Sequence, residues 1–205
     1  MNPGKTWVKV CGVTRVEDAK AAVRAGADAI GVNFVETSRR YCDLDTARRI
    51  VAAVEADVIA FGVFANASRE HVGKVLERTG IGGLQFHGGE ADEEMVGWTV
   101  PVLRAVAVGD TATLRAALEA AGGWRVLLDS PRGGGSGIRF DVELARGLDL
   151  SSAIVAGGLA PANVAEVVAQ LKPWGVDVAG GVEDGVPGVK SISLMEEFVS
   201  NARSA

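Results

Sequence analysis

Few groups in this chain can exchange a proton near neutral pH. There are two cysteines, Cys11 and Cys42, and two histidines, His71 and His87. Cys11 draws interest because it closes the short apolar run Trp7–Cys11. A thiolate is an effective proton acceptor, although an ordinary thiol is only a few per cent ionised at pH 7. The bland alternative is a small buried hydrophobe. Asp129 closes a second run, after Val126-Leu127-Leu128. A carboxylate cannot enter an apolar core without a partner, but in a partly desolvated pocket it can hold its proton and deliver it. Its bland alternative is a cap on the following loop. Asp177, inside Gly175–Val178, reads equally as an acid bonded to loop backbone or as a substrate contact.

Other polar groups sit at similar positions. Gln85 and His87 close the run Gly83–Phe86, and a lone histidine is more often structural than catalytic. Arg40, in the loop after the second run, offers a planar fork suited to a carboxylate, whereas Arg39 beside it reads as a surface residue. Three glycine clusters, at Gly133–Gly135, Gly157-Gly158 and Gly180-Gly181, follow three consecutive late runs. Each alone is turn chemistry. Together they could bring backbone N–H groups close to a phosphate.

These residues need a frame that gathers the ends of many short strands. The strand candidates are Trp7–Cys11, Ala29–Phe34, Val58–Phe64, Gly83–Phe86, Val100–Val106, Arg125–Asp129, Ala153–Ala156 and Gly175–Val178. They are apolar throughout rather than alternating, as in parallel strands buried on both faces. Helical patterns follow them at Val16–Ala25, Leu44–Glu55, Arg69–Thr79, Glu90–Gly97, Thr111–Ala121, Asp141–Arg146, Ala162–Leu171 and Val189–Ala202. Eight strand–helix units in 205 residues predict a single (β/α)8 barrel spanning 1–205, with its site at the C-terminal ends of the strands. The alternative is an open doubly wound sheet, which would want GxGxxG after its first strand. Cys11-Gly12-Val13-Thr14 is not that motif.

Composition narrows the partners. The chain is 48% hydrophobic and 23% charged, with a net charge of −5 and no long basic cluster, which argues against nucleic acid. No apolar run approaches the ~18 residues that span a bilayer, and the first ten residues lack a signal-peptide core. Two cysteines without a CxxC fit a reducing cytoplasm, and two distant histidines make no metal set. The expected partner is a small phosphorylated molecule, with no cofactor and no metal, bound by a monomer or a homodimer.

Lys9-Val10-Cys11-Gly12-Val13-Thr14 resembles the opening motif of phosphoribosylanthranilate isomerases. Phe34–Tyr41, Gln85-Phe86-His87-Gly88, Leu127–Ser130 with Gly134–Gly137, Ala156–Leu159 with Asn163-Val164, Gly175–Val178, Gly181-Val182-Glu183 and Pro187–Lys190 resemble later family motifs in order. The resemblance implies an Amadori rearrangement in tryptophan biosynthesis, from N-(5-phosphoribosyl)anthranilate to 1-(2-carboxyphenylamino)-1-deoxyribulose 5-phosphate. It implies Cys11 as general base and Asp129 as general acid. Arg40 would contact the anthranilate carboxylate, Gln85 and Asp177 other parts of the substrate. Gly135, Ser136, Gly137, Gly157, Gly158, Gly180 and Gly181 would hold the phosphate. The chain departs from the family pattern with Arg39 for a proline, Phe86 for a leucine, Ala179-Gly180 for two serines and Ser191 for an aspartate. Two rival readings are a bifunctional isomerase that also serves histidine biosynthesis and a non-catalytic phosphate-binding barrel. The first would want aspartate in place of Cys11; the second would have lost Cys11 or Asp129.

Overall fold

The computed structural model describes residues 5–120, 124–131 and 138–205. Eight parallel strands close on themselves in chain order: β1 Trp7–Val10, β2 Ala29–Asn33, β3 Ile59–Phe64, β4 Gly83–Phe86, β5 Val102–Ala107, β6 Arg125–Asp129, β7 Ile154–Val155 and β8 Gly175–Val178. Closure comes from β1 pairing with β8, in a register that sets Lys9 beside Asp177. The helices are α1 Val16–Ala25, α2 Leu44–Ala52, α3 Arg69–Thr79, α4 Asp92–Met95, α5 Thr111–Glu119, α6 Pro161–Leu171 and α7 Ile192–Arg203. The expected (β/α)8 barrel is the observed fold.

Strand side chains alternate faces with a period of two, and here the two faces feed two cores. Val8, Val10, Ile30, Val32, Leu84, Leu128, Val155 and Val176 point outward into one large core shared with the helices. Ala29, Phe61, Leu103, Ala105, Leu127, Ile154 and Ala156 fill the barrel interior. Both faces are therefore apolar, which is why the strands read as continuous hydrophobic runs. Inward parity carries Lys9 and Cys11 on one strand, Gln85 and His87 on another, and Asp129 and Asp177 on two more, up to the C-terminal rim.

The helix ends follow local chemistry. The Asp43 side chain accepts from the N–H groups of Asp45 and Thr46 to start α2. Ser68 and Asp110 cap α3 and α5 in the same way. The weakest sequence expectations needed correction. The helix expected at Asp141–Arg146 is a 3-10 turn over Val142–Ala145, and that expected at Glu90–Gly97 shrinks to the single turn α4. Neither segment offers a long apolar stripe to hold a helix against the barrel. The last helix begins at Ile192 rather than Val189, because Glu183 and Lys190 form an isolated bridge first. A further 3-10 turn, Gly180–Val182, follows β8.

Candidate active site

A cleft of about 730 Å³ opens at the C-terminal mouth of the barrel. Cys11, Arg40, Gln85, His87, Asp129 and Asp177 all line it, as do Gly157, Gly158, Gly180 and Gly181. The expected phosphate contacts Gly135, Ser136 and Gly137 lie outside the described residues.

Cys11 stands one residue beyond the end of β1 and is buried. Its Sγ lies over Gly31 of β2, where a Cβ would come within 2.7 Å of the sulfur and 3.2 Å of Lys9 Cε. Only glycine leaves room there for both side chains. Lys9 is fully buried inside the barrel, its ammonium donating to Asp177 Oδ1 at 2.8 Å. Burial works against that ammonium, but Asp177 and Cys11 outweigh it and hold Lys9 above the ordinary lysine range. Burial also pushes the Cys11 thiol up, and Asp177 adds to the rise, while Lys9 and Lys190 pull the other way. The resting cysteine is therefore a thiol with a cation at hand, rather than a ready thiolate. Asp177 was expected to meet substrate; its Oδ1 is engaged by Lys9, although the residue does line the cleft.

Asp129 ends β6 as expected, with β7 and β8 between it and β1. Its Oδ1 accepts the Ser130 N–H at 2.7 Å. Gly157 has φ +89°, and a Cβ there would sit 2.6 Å from Ser130 N and 2.9 Å from Asp129 Oδ1. Glycine thus lets the loop after β7 close against the acid. Asp129 Oδ2 faces His87 Nε2 at 3.2 Å, without the alignment of a hydrogen bond. Behind the ring, Gln85 Nε2 stands 3.2 Å from His87 Nδ1, and Gln85 Oε1 is buried without a described partner.

Arg40 is buried while Arg39 is exposed. The turn that inserts Arg40 is tied by Ser38 Oγ, which accepts from the Arg40 N–H and from Asn33 Nδ2. The guanidinium makes a fork with Glu183: Nε to Oε1 at 2.6 Å and Nη2 to Oε2 at 2.7 Å. This pairing raises the Arg40 pKa. It also outweighs the cost of burial at Glu183, whose carboxyl is held below the usual range with help from the Gly188 N–H and Lys190. Two glycines make room for the arginine. Gly12, at φ +70°, lies directly beneath its Cδ, and a Cβ at Gly180 would be 3.3 Å from its Nη2. The open side of Gly180 therefore faces Arg40, which is a steric reason for this glycine besides any anion. Lys190 completes the group, bonding Ala179 O and Glu183 Oε1.

The sequence reading gave no role to Lys9, Glu183 or Lys190 and set His87 aside. A lysine in the middle of an apolar strand, two residues before Cys11, was the signal that could have flagged the first. The spacing of Gln85 and His87 could have flagged the histidine. Nothing local connects Glu183 with Arg40, which lie 143 positions apart.

The fold and the cleft define an enzyme of the (β/α)8 class, with ionisable side chains gathered at the C-terminal ends of its strands. Residues 8–201 match the family model described as N-(5'phosphoribosyl)anthranilate (PRA) isomerase. The N-(5'-phosphoribosyl)anthranilate isomerase of Myxococcus xanthus is 43% identical over 96% of each chain. The crystal structure of phosphoribosyl anthranilate isomerase from Thermotoga maritima superposes with a TM-score of 0.88 at 33% identity, covering 98% of this chain and all of that one. A phosphoribosyl anthranilate isomerase in complex with reduced 1-(o-carboxyphenylamino)-1-deoxyribulose 5-phosphate superposes with a TM-score of 0.84 at 30% identity, again over 98% and 100%. The chain belongs to the phosphoribosylanthranilate isomerase family.

Proposed function

We propose that this cleft isomerises N-(5-phosphoribosyl)anthranilate to 1-(2-carboxyphenylamino)-1-deoxyribulose 5-phosphate, the aldose–ketose step of tryptophan biosynthesis, with Asp129 as the acid and Cys11 as the base. The supporting observation is that both residues, from strand ends far apart in the chain, line one cleft beside a buried arginine.

Protonated Asp129 gives its proton to the furanose ring oxygen. The C1′–O bond breaks as the nitrogen lone pair forms the C1′=N bond of an iminium. The Cys11 thiolate then takes the proton from C2′, and the released pair forms C1′=C2′ while the C=N electrons return to nitrogen. The resulting enolamine loses its O–H proton and gains one at C1′, leaving the ketone. Lys9 serves this sequence by favouring the thiolate that burial alone would disfavour.

Arg40 would receive the anthranilate carboxylate with the edge that Glu183 leaves open, or by exchanging Glu183 for the substrate. Gln85 lines the same cleft and is the further side chain expected to meet the substrate. The phosphate fits the side of the cleft lined by Gly157, Gly158, Gly180 and Gly181, between the loops after β7 and β8. The reaction needs no metal or cofactor in this scheme. We read residues 1–205 as one catalytic domain in the cytoplasm, acting as a monomer or homodimer.

Purified protein mixed with freshly prepared phosphoribosylanthranilate should extinguish the anthranilate-type fluorescence of the substrate with saturable kinetics. A correctly folded preparation that leaves the fluorescence unchanged would overturn the assignment.

A further inference from the structure

From the contact between His87 and Asp129 we infer that His87 is the proton relay that returns Asp129 to its acid form after each turnover. The inference rests on the reading of Asp129 as the acid and Cys11 as the base.

The need for such a group follows from the proton balance. The chemical steps consume a carboxylic acid and a thiolate, the latter drawn from the resting thiol, and leave a carboxylate and a thiol. The substrate and product carry the same number of protons. The enzyme must therefore move one proton from the Cys11 thiol to the Asp129 carboxylate before it can act again. Asp129 is poorly placed to collect it unaided: its side chain is only 3% exposed, and its Oδ1 is already fixed by the Ser130 N–H. His87 lines the same cleft with a side chain 22% exposed, and its Nε2 lies 3.2 Å from Asp129 Oδ2.

The surroundings of the ring suit a group that changes protonation. Gln85 stands against Nδ1 with an amide that has a donor end and an acceptor end. Its Nε2–H fits a bare Nδ1, and its Oε1, buried without a described partner, fits Nδ1–H after the amide turns over. Gln85 is 1% exposed, so no bulk water can replace it in this role. In the relay the imidazolium passes its Nε2 proton to Asp129 Oδ2. Neutral His87 is left with its proton on Nδ1, held by Gln85 Oε1. Nε2, buried at rest but not tied up by an aligned hydrogen bond, then takes a proton from solvent that refills the cleft as product leaves, to which Cys11 in turn has released its own. One O–H bond forms at Asp129 and one S–H bond breaks at Cys11, with the solvent unchanged.

A relay acts between turnovers, whereas a group that aligns Asp129 or holds substrate acts within each one. The test compares the first turnover with the later ones by stopped-flow fluorescence, in His87→Gln and His87→Ala. Glutamine keeps hydrogen bonding but cannot carry a proton. The expected result is a burst, with the steady state slowed at least roughly tenfold more than the first turnover, a modest share of what acid–base groups supply. In His87→Ala, added imidazole should speed the steady state and leave the burst phase alone. Equal slowing of first and later turnovers, or full steady-state activity in both variants, would overturn the relay. Asp129→Asn, run alongside, separates this from failure of the underlying reading: it should remove the first turnover itself, and retention of a burst there would sink the acid assignment instead.

Discussion

The two ends of the barrel interior are built from the same inward-facing positions and have opposite chemistry. At the N-terminal end Trp7 stacks tilted on Trp174 at 4.8 Å and meets Phe61 edge-on at 6.3 Å, with the Arg125 guanidinium 3.6 Å over the Trp174 ring. At the C-terminal end the same parity presents Cys11, Gln85 and Asp129 to an open cleft. A single strand shows the whole gradient. Trp7, Lys9 and Cys11 climb the same face of β1 from aromatic plug to buried ion pair to thiol. Stability and chemistry are thus separated along the barrel axis, and the Lys9–Asp177 pair marks the level where one gives way to the other.

That separation can be broken or sharpened by substitution. The largest effect is expected from Asp129→Asn, which cannot deliver the ring-opening proton. Turnover should fall roughly a thousandfold or more, while the thermal midpoint stays close to that of the parent. A large loss of stability here would show that the mouth also carries structural weight. Phe61→Ala should do the reverse. Emptying the plug should cost about 3–5 kcal/mol in urea unfolding, with near-parental turnover per folded molecule at low temperature. Loss of activity out of proportion to unfolding would mean that the plug also tunes the site.

Cys11→Ser should lower kcat by roughly a hundredfold through loss of the base, again with stability retained. The thiol itself offers a direct reading of its surroundings. Burial raises Cys11, so its alkylation by iodoacetamide should gain speed only at pH values above those at which free cysteine ionises. Cys42, pushed up to about 12 by burial and then Asp43, should react more slowly still. Prompt labelling of Cys11 at neutral pH would show that Lys9 outweighs burial. The smallest expected effect belongs to Glu183→Gln, which weakens the grip on Arg40. It should shift KM about tenfold, the scale of one hydrogen bond between charged groups, and should change kcat less. Arg39→Ala, at the exposed neighbour, should alter neither.

Much of this was legible before any coordinates. The eight apolar runs and the glycine- and Asp-marked helix ends specified a barrel, because parallel strands buried on both faces leave that pattern and few alternatives. Cys11 and Asp129 could be singled out because polar residues at the ends of apolar strands are conspicuous, and Arg40 because a planar cation stood in the loop after β2. The weak helices at Asp141–Arg146 and Glu90–Gly97 were misjudged because a short segment lacks the apolar stripe that tells helix from turn. His87 was given little weight because a single histidine carries no sign of what stands opposite it.

The sequence by itself determined the alternation of elements, and through side-chain parity which residues of each strand face inward. Those are local properties of spacing and residue type. Tertiary structure alone decided the partners: Lys9 with Asp177 across the β1–β8 seam, Arg40 with Glu183, and His87 with Asp129. The reason is closure. Lys9 and Asp177, 168 positions apart, and Arg40 and Glu183, 143 apart, meet only when the eighth strand returns to the first, whereas His87 and Asp129 meet because β4 and β6 end at the same rim.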